Sequence, residues 1–169
     1  MNRRAPDTLP HRTAVSVGGD SGTPTIVVGI DGTEASWSAF WWACGEAGRL
    51  DGRVIAVYVT CTTEKSLSRG AAVACFDAGA YATAVDRSNA EQADKLQAEI
   101  ERRTGDLDVQ ICFRHLHGDA AARLKEIARA MRADVIAVGR STKLRHRLAG
   151  SLGRRLARDR DAPIVVIVP

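Results

Sequence analysis

Ala133–Leu152 reads ADVIAVGRSTKLRHRLAGSL, and the fold follows from how this stretch is divided. The short apolar run Val135–Val138 has the character of a strand buried within a parallel sheet. It ends on Gly139, where a backbone without a side chain can turn sharply or let a ligand approach closely. A polar, strongly basic segment follows, Arg140–Arg147, and Gly150-Ser151 then opens the last helix. A glycine-ended strand, a polar loop and a helix N-terminus presenting N–H groups together have the local pattern of a phosphate cradle. The same joint also serves a purely structural role, with Ser151 as the N-cap of the helix. The stretch alone leaves both readings open.

Working outward, Gly118-Asp119 begins the helix Ala120–Arg132, in which Leu124, Ile127, Ala128 and Met131 are spaced as one core face. Downstream, Leu152–Arg158 continues the final helix, and Pro163–Pro169, PIVVIVP, closes the chain as an apolar strand. Towards the amino end, Thr25–Ile30, TIVVGI, is β-branched, apolar and bounded by Pro24 and Asp31-Gly32. Asp31 therefore stands at the carboxyl end of a strand, where open α/β sheets bind ligands, and where an Asx residue also starts turns. Thr33 caps the helix Glu34–Arg49, with Glu34 in its first turn. Trp37, Phe40, Trp41 and Cys44 fall at helical spacing and read as core; Trp42 lies off that stripe, open to solvent or to a partner. Arg53–Val59, RVIAVYV, is a second strand, and Thr60–Gly79 has no clear period and reads as a loop. Ala80–Arg103 is a long helix with Ala93, Leu96 and Ile100 inward, ended by Gly105. Val109–Leu116 reads as a strand nearer the sheet edge. His115 and His117 project from one face of it, a pair with no third metal ligand nearby in sequence, so no metal site is assigned. Five strands alternate with four helices, and connections of helix length imply an α/β fold with a parallel, doubly wound sheet.

Composition bounds the function. The 169 residues fit one domain, 25–169, behind a Gly-, Pro-, Ser- and Thr-rich segment, 1–24, expected to be a disordered tail. With 45% hydrophobic and 26% charged residues, no apolar run approaches the ~20 residues of a membrane span, and no secretory signal is visible. The four cysteines lack CxxC or metal-like spacing and read as thiols of a reducing cytoplasm. A net charge of +4, with the cations gathered from Arg140 to Arg160, favours a local anion site over a nucleic-acid surface. SVGGDS, Ser16–Ser21, has the wrong spacing and precedes the first strand, so it is not read as a pyrophosphatase loop.

IVVGIDGTEAS, HGDAAARLKEIARAMRADVIAVGRS and GSLGRRLARDRDAPIVVIVP resemble the universal stress protein family over Thr25–Pro169. The resemblance implies a flavodoxin-like five-stranded sheet, ordered 3-2-1-4-5, that binds ATP at its switch point, with Mg2+ or as another adenine nucleotide. The residues it implies for the cofactor are Asp31, Gly32, Val59, Val138, Gly139, Arg140, Thr142, Gly150, Ser151 and Leu152. Asp31 would meet the ribose or adenine side, and the Val59 backbone would meet adenine. Gly139, Gly150, Ser151 and Leu152 would hold phosphates. It further implies a homodimer formed through Pro163–Pro169, with Val166 near the axis.

Two departures mark the loop. Thr142 stands where the family motif G-x2-G-x9-G-S/T has its second glycine, and seven residues, Lys143–Ala149, replace nine. A β-branched residue does not readily take positive φ, so the loop must follow another path if that glycine uses it. Lys143, Arg145, His146 and Arg147 offer cations beside a polyphosphate, or are solvated loop charges. The expected function is therefore a cytoplasmic, nucleotide-binding regulatory protein of the stress response. The alternative is a dimeric interaction module of the same fold that has lost the nucleotide. An enzyme is not expected, because HxGH, GxxxxGK(S/T) and a properly spaced SGGxDS are all absent, though slow ATP hydrolysis would fit the first reading.

Overall fold

The computed structural model describes residues 22–60, 78–140, 152–158 and 163–169. Five strands and four helices alternate: β1 (Thr25–Gly29), α1 (Glu34–Arg49), β2 (Arg53–Thr60), α2 (Ala78–Thr104), β3 (Gln110–His117), α3 (Ala120–Ala130), β4 (Val135–Gly139), α4 (Leu152–Ala157) and β5 (Ile164–Val168). All four strand pairings are parallel and the order is β3-β2-β1-β4-β5. The flavodoxin-like sheet expected from the sequence is the one observed. β3 is an edge strand, as its weaker apolar character suggests.

Alternation along each strand divides the core in two. Ile26, Val28, Val54, Ala56 and Ala137 face α1 and α2, meeting Phe40, Ala43, Leu96 and Ile100. Val27, Ile55, Val57, Ile136 and Val138 face the other way, onto Leu124 and Ala128 of α3 and Leu156 of α4. β1, β2 and β4 are apolar on both faces because helices cover both. At the amino edge, Thr25 and Asp134 lock β1 to β4: Thr25 N donates to Asp134 Oδ2 (2.9 Å), and Asp134 N to Thr25 O (2.9 Å).

Several boundaries and one core assignment are corrected. Thr60 is the last residue of β2, and Ala78 and Gly79 already belong to α2; the rest of the expected loop, 61–77, lies outside the described residues. α3 stops at Ala130, with Met131 as its C-cap and Arg132 at φ 50. Trp41, read as core, is 38% exposed. It lies about 100° around α1 from Phe40, at the rim of the buried stripe, and stacks on Trp37 with ring centroids 6.1 Å apart. The Arg103 guanidinium also lies over Trp37, 4.3 Å from the ring centroid. Trp42 is partly buried against the core. Val166, expected near a dimer axis, turns its backbone inward. Ile164 N donates to Asp134 O, and Val168 O accepts from Arg140 N. Successive strand residues aim their backbone groups at opposite neighbours, so Val166 faces β4 while Val165 and Ile167 face the outer edge. No described helix is long and apolar enough to cross a membrane.

Candidate functional site

An all-parallel sheet brings all five carboxyl ends to one edge, and the chain order reverses between β1 and β4. That switch point is where the connections leave in opposite directions and open a crevice. It is formed by Asp31 and Gly32 after β1, Gly139 and Arg140 after β4, and the first turn of α1.

Local chemistry fixes the Asp31 side. Asp31 Oδ1 accepts from Thr33 N (3.0 Å) and Thr33 Oγ1 (2.6 Å), an Asx turn at an exposed position. Thr33 in turn caps α1, its Oγ1 accepting from Ser36 N, while Ser36 Oγ accepts from Asp31 N (3.2 Å). Gly32 sits at φ +80 with open space around its Cα, a conformation that excludes most side chains. Asp31 shapes the turn, and its carboxylate stands at the carboxyl edge of the sheet. The Asp31 charge reaches Tyr58, whose hydroxyl is pushed above its ordinary pKa first by burial and then by Asp31.

Gly139 is a glycine for packing. A Cβ there would overlap Ala35 O and lie 2.7 Å from Ser36 N, so α1 starts directly on the end of β4. The Arg140 side chain is exposed at the same edge, and its N–H ties β4 to Val168 O at 2.7 Å.

Val59 is set up by strand lengths. β1 stops pairing with β2 at Gly29–Val57 and the Ile30 N to Val57 O bond (3.0 Å), whereas β2 pairs with β3 as far as Thr60–His117. Val57 faces β1, so Val59, two residues on, aims its N–H and C=O to the same side, past the end of that pairing. Its side chain meanwhile packs against the α3–α4 core.

Two expected residues take other roles. Val138 is buried, with its side chain in the core and its backbone in the ladders to β1 and β5. Leu152 begins α4 and packs against the same core cluster. Thr142, Gly150 and Ser151 lie outside the described residues, as do Lys143, Arg145, His146 and Arg147.

Sequence reasoning missed three features. Asp119 caps α3 through Ala122 N (3.0 Å) and also receives both Arg155 guanidinium nitrogens (2.8 and 2.9 Å), joining α3 to α4. Gly153 lets α4 lie on β5, since a Cβ would meet Ile167 Cδ1 at 2.5 Å. At the ends of β2 and β3, Thr60 Oγ1 lies 3.0 Å from His115 Nε2 and 2.9 Å from His117 Nδ1. Reading Thr60 as strand instead of loop would have revealed the last, by placing it on one face with Tyr58. Among the described residues, no group of three or more His, Cys, Asp or Glu is arranged to hold a metal.

Comparison with known proteins supports the same frame. A family model described as the universal stress protein family matches residues 23–168. No curated protein matches the chain. Among solved structures, the universal stress protein UspA from Lactobacillus plantarum is 19% identical, covers 89% of this chain and 100% of its own, and superposes with a TM-score of 0.70. A universal stress protein family member from Burkholderia pseudomallei is 25% identical over 89% of this chain and 98% of its own, with a TM-score of 0.59. A universal stress protein solved in complex with cAMP is 21% identical over 88% of this chain and 99% of its own, with a TM-score of 0.61. With its sheet order, its switch-point edge and a family match over residues 23–168, the chain belongs to the universal stress protein family.

Proposed function

We propose that this chain binds an adenine nucleotide at the carboxyl edge between β1 and β4, and acts in the cytoplasm as a regulatory protein of the stress response. The observation that carries the reading is the Val59 backbone, aimed past the end of β1 pairing beside the exposed Asp31 turn. Adenine is recognised by a paired donor and acceptor, and a strand-end peptide offers both. Asp31 accepts from ribose hydroxyls, and Arg140 lies on the side where phosphates leave. A family member solved in complex with cAMP supports an adenine nucleotide as the ligand class. ATP, alone or with Mg2+, is the nucleotide on which the basic segment Lys143–Arg147 would act most strongly. The proposed role is binding, and slow hydrolysis of bound ATP would be compatible with it.

Calorimetric titration with ATP, cAMP and adenosine tests the reading. Saturable binding is expected, and Asp31→Ala weakens it about tenfold, the loss of a charged hydrogen-bond acceptor. No binding of any of the three at millimolar concentration would reject it. That result would favour a dimeric module without nucleotide, a reading that Thr142 and the shortened loop support from the sequence.

A further inference from the structure

We propose that His115, His117 and Thr60 form a binding site for a divalent transition cation of the zinc class, held by two imidazole nitrogens and completed by the threonine hydroxyl and water. The inference stands apart from nucleotide binding.

The geometry begins with strand alternation. His115 and His117 share the face of β3 that looks towards α2, and the register sets Thr60 of β2 opposite His117. His115 Nε2 and His117 Nδ1 then converge on one atom, Thr60 Oγ1, at 3.0 and 2.9 Å. A hydroxyl has one proton to give, so it satisfies only one of these nitrogens as an acceptor, and the other ring must turn an N–H towards it. The hydroxyl accepts that N–H, so the triad is satisfied without a metal; a cation held by both rings would displace the shared ring proton and use the same convergence of three donor atoms. Tetrahedral zinc with bonds of 2.0–2.1 Å to nitrogen spaces its ligand atoms about 3.3 Å apart. The two observed edges need to open by only a few tenths of an ångström to match.

Ring packing orients the imidazole pair. The His115 ring stacks on Tyr58 with centroids 5.3 Å apart, and the two histidine rings are 4.6 Å apart and tilted by 56°. The Asp94 carboxylate of α2 lies within electrostatic reach of His115 and favours a cation at this place. The nearby cation, Arg123, is engaged: its Nε donates to His117 O (2.8 Å) and its Nη1 pairs with Glu126 (2.6 Å). Two protein nitrogens make a reversible site, unlike a structural site with four protein ligands.

Zinc titration of the full chain, followed by imidazole nitrogen resonances, tests the proposal. One equivalent of Zn(II) should shift His115 Nε2 and His117 Nδ1 together, and excess chelator should reverse the shift. His115→Gln and His117→Ala should each reduce affinity at least about tenfold, by competition with a chromophoric chelator. The wild-type ring shifts need no variant, so a misfolded mutant leaves the test intact. Zinc uptake that leaves both rings unmoved, or that moves only His11 and His146, would overturn the proposal, as would no uptake at all.

Discussion

Gly139 and Gly32 flank the switch point, and each is glycine for a different reason. At Gly139 the obstacle is backbone, because a Cβ would overlap Ala35 O, and backbone at a helix start cannot swing aside. Gly139→Ala therefore costs about 3 kcal/mol, the upper range of overpacking, and displaces the Asp31 turn with α1. At Gly32 there is space but a φ of +80, so Gly32→Ala costs about 1 kcal/mol. Urea unfolding of the two variants checks this order, and equal losses would contradict the packing account. Cys44 gives a chemical test. Burial raises its thiol from 9.0 to about 11, so the unfolded chain gives up this proton first. Stability from this group is unchanged below about pH 9 and declines as pH rises towards 11. Native Cys44 should resist iodoacetamide at pH 8 and react in urea, as read by peptide mass spectrometry. His115 has the opposite sign: its lowered pKa means the unfolded chain takes up a proton first below about 6.5, so acid weakens the fold.

Elements were legible where one period ran unbroken. TIVVG and VIAVG are β-branched runs between glycine or aspartate punctuation, and both are strands. Legibility failed where the decisive partner was distant in sequence. Trp41 fits the helical stripe, yet the sheet meets α1 along Ser36, Phe40, Ala43 and Ala47 and leaves it at the rim. Thr60 looks like a loop residue, yet β3 extends to His117 and keeps it in the ladder. The Asp119–Arg155 clamp spans 36 residues and has no local signature. Asp119 does two separable jobs. Asp119→Asn keeps an N-cap and loses only a half-exposed ion pair, at a cost of about 0.5–1 kcal/mol. Asp119→Ala loses the cap as well and costs about 1 kcal/mol more. Thermal unfolding of both checks this; equal effects would mean the cap contributes nothing.

At the scale of the whole molecule, alternation of strands and helices implied a parallel sheet, and the family resemblance supplied its order. The Asp31 edge was legible for the same reason: parallel strands must end together. The Val59 geometry was not, because it depends on β1 ending short of β2. A proposed dimer through β5 follows from its outer edge, where Ile164 is 70% and Ile167 47% exposed. Ile167 aims its N–H outward, so Ile167→Pro should spare the β4 ladder, weaken only the packing on Gly153, and abolish a dimer in light scattering. Val166→Pro instead breaks the β4 ladder and should destabilise the monomer. A dimer that persists in Ile167→Pro would move the interface elsewhere. The central claim is that the carboxyl edge binds an adenine nucleotide, and backbone amide NMR of the labelled chain with added ATP tests it most directly. Saturable shifts are predicted at Asp31, Gly32, Val59, Gly139 and Arg140, with the opposite edge at Thr25, Arg53 and Asp134 unmoved. Shifts confined to that opposite edge, or none at millimolar ATP, would contradict it.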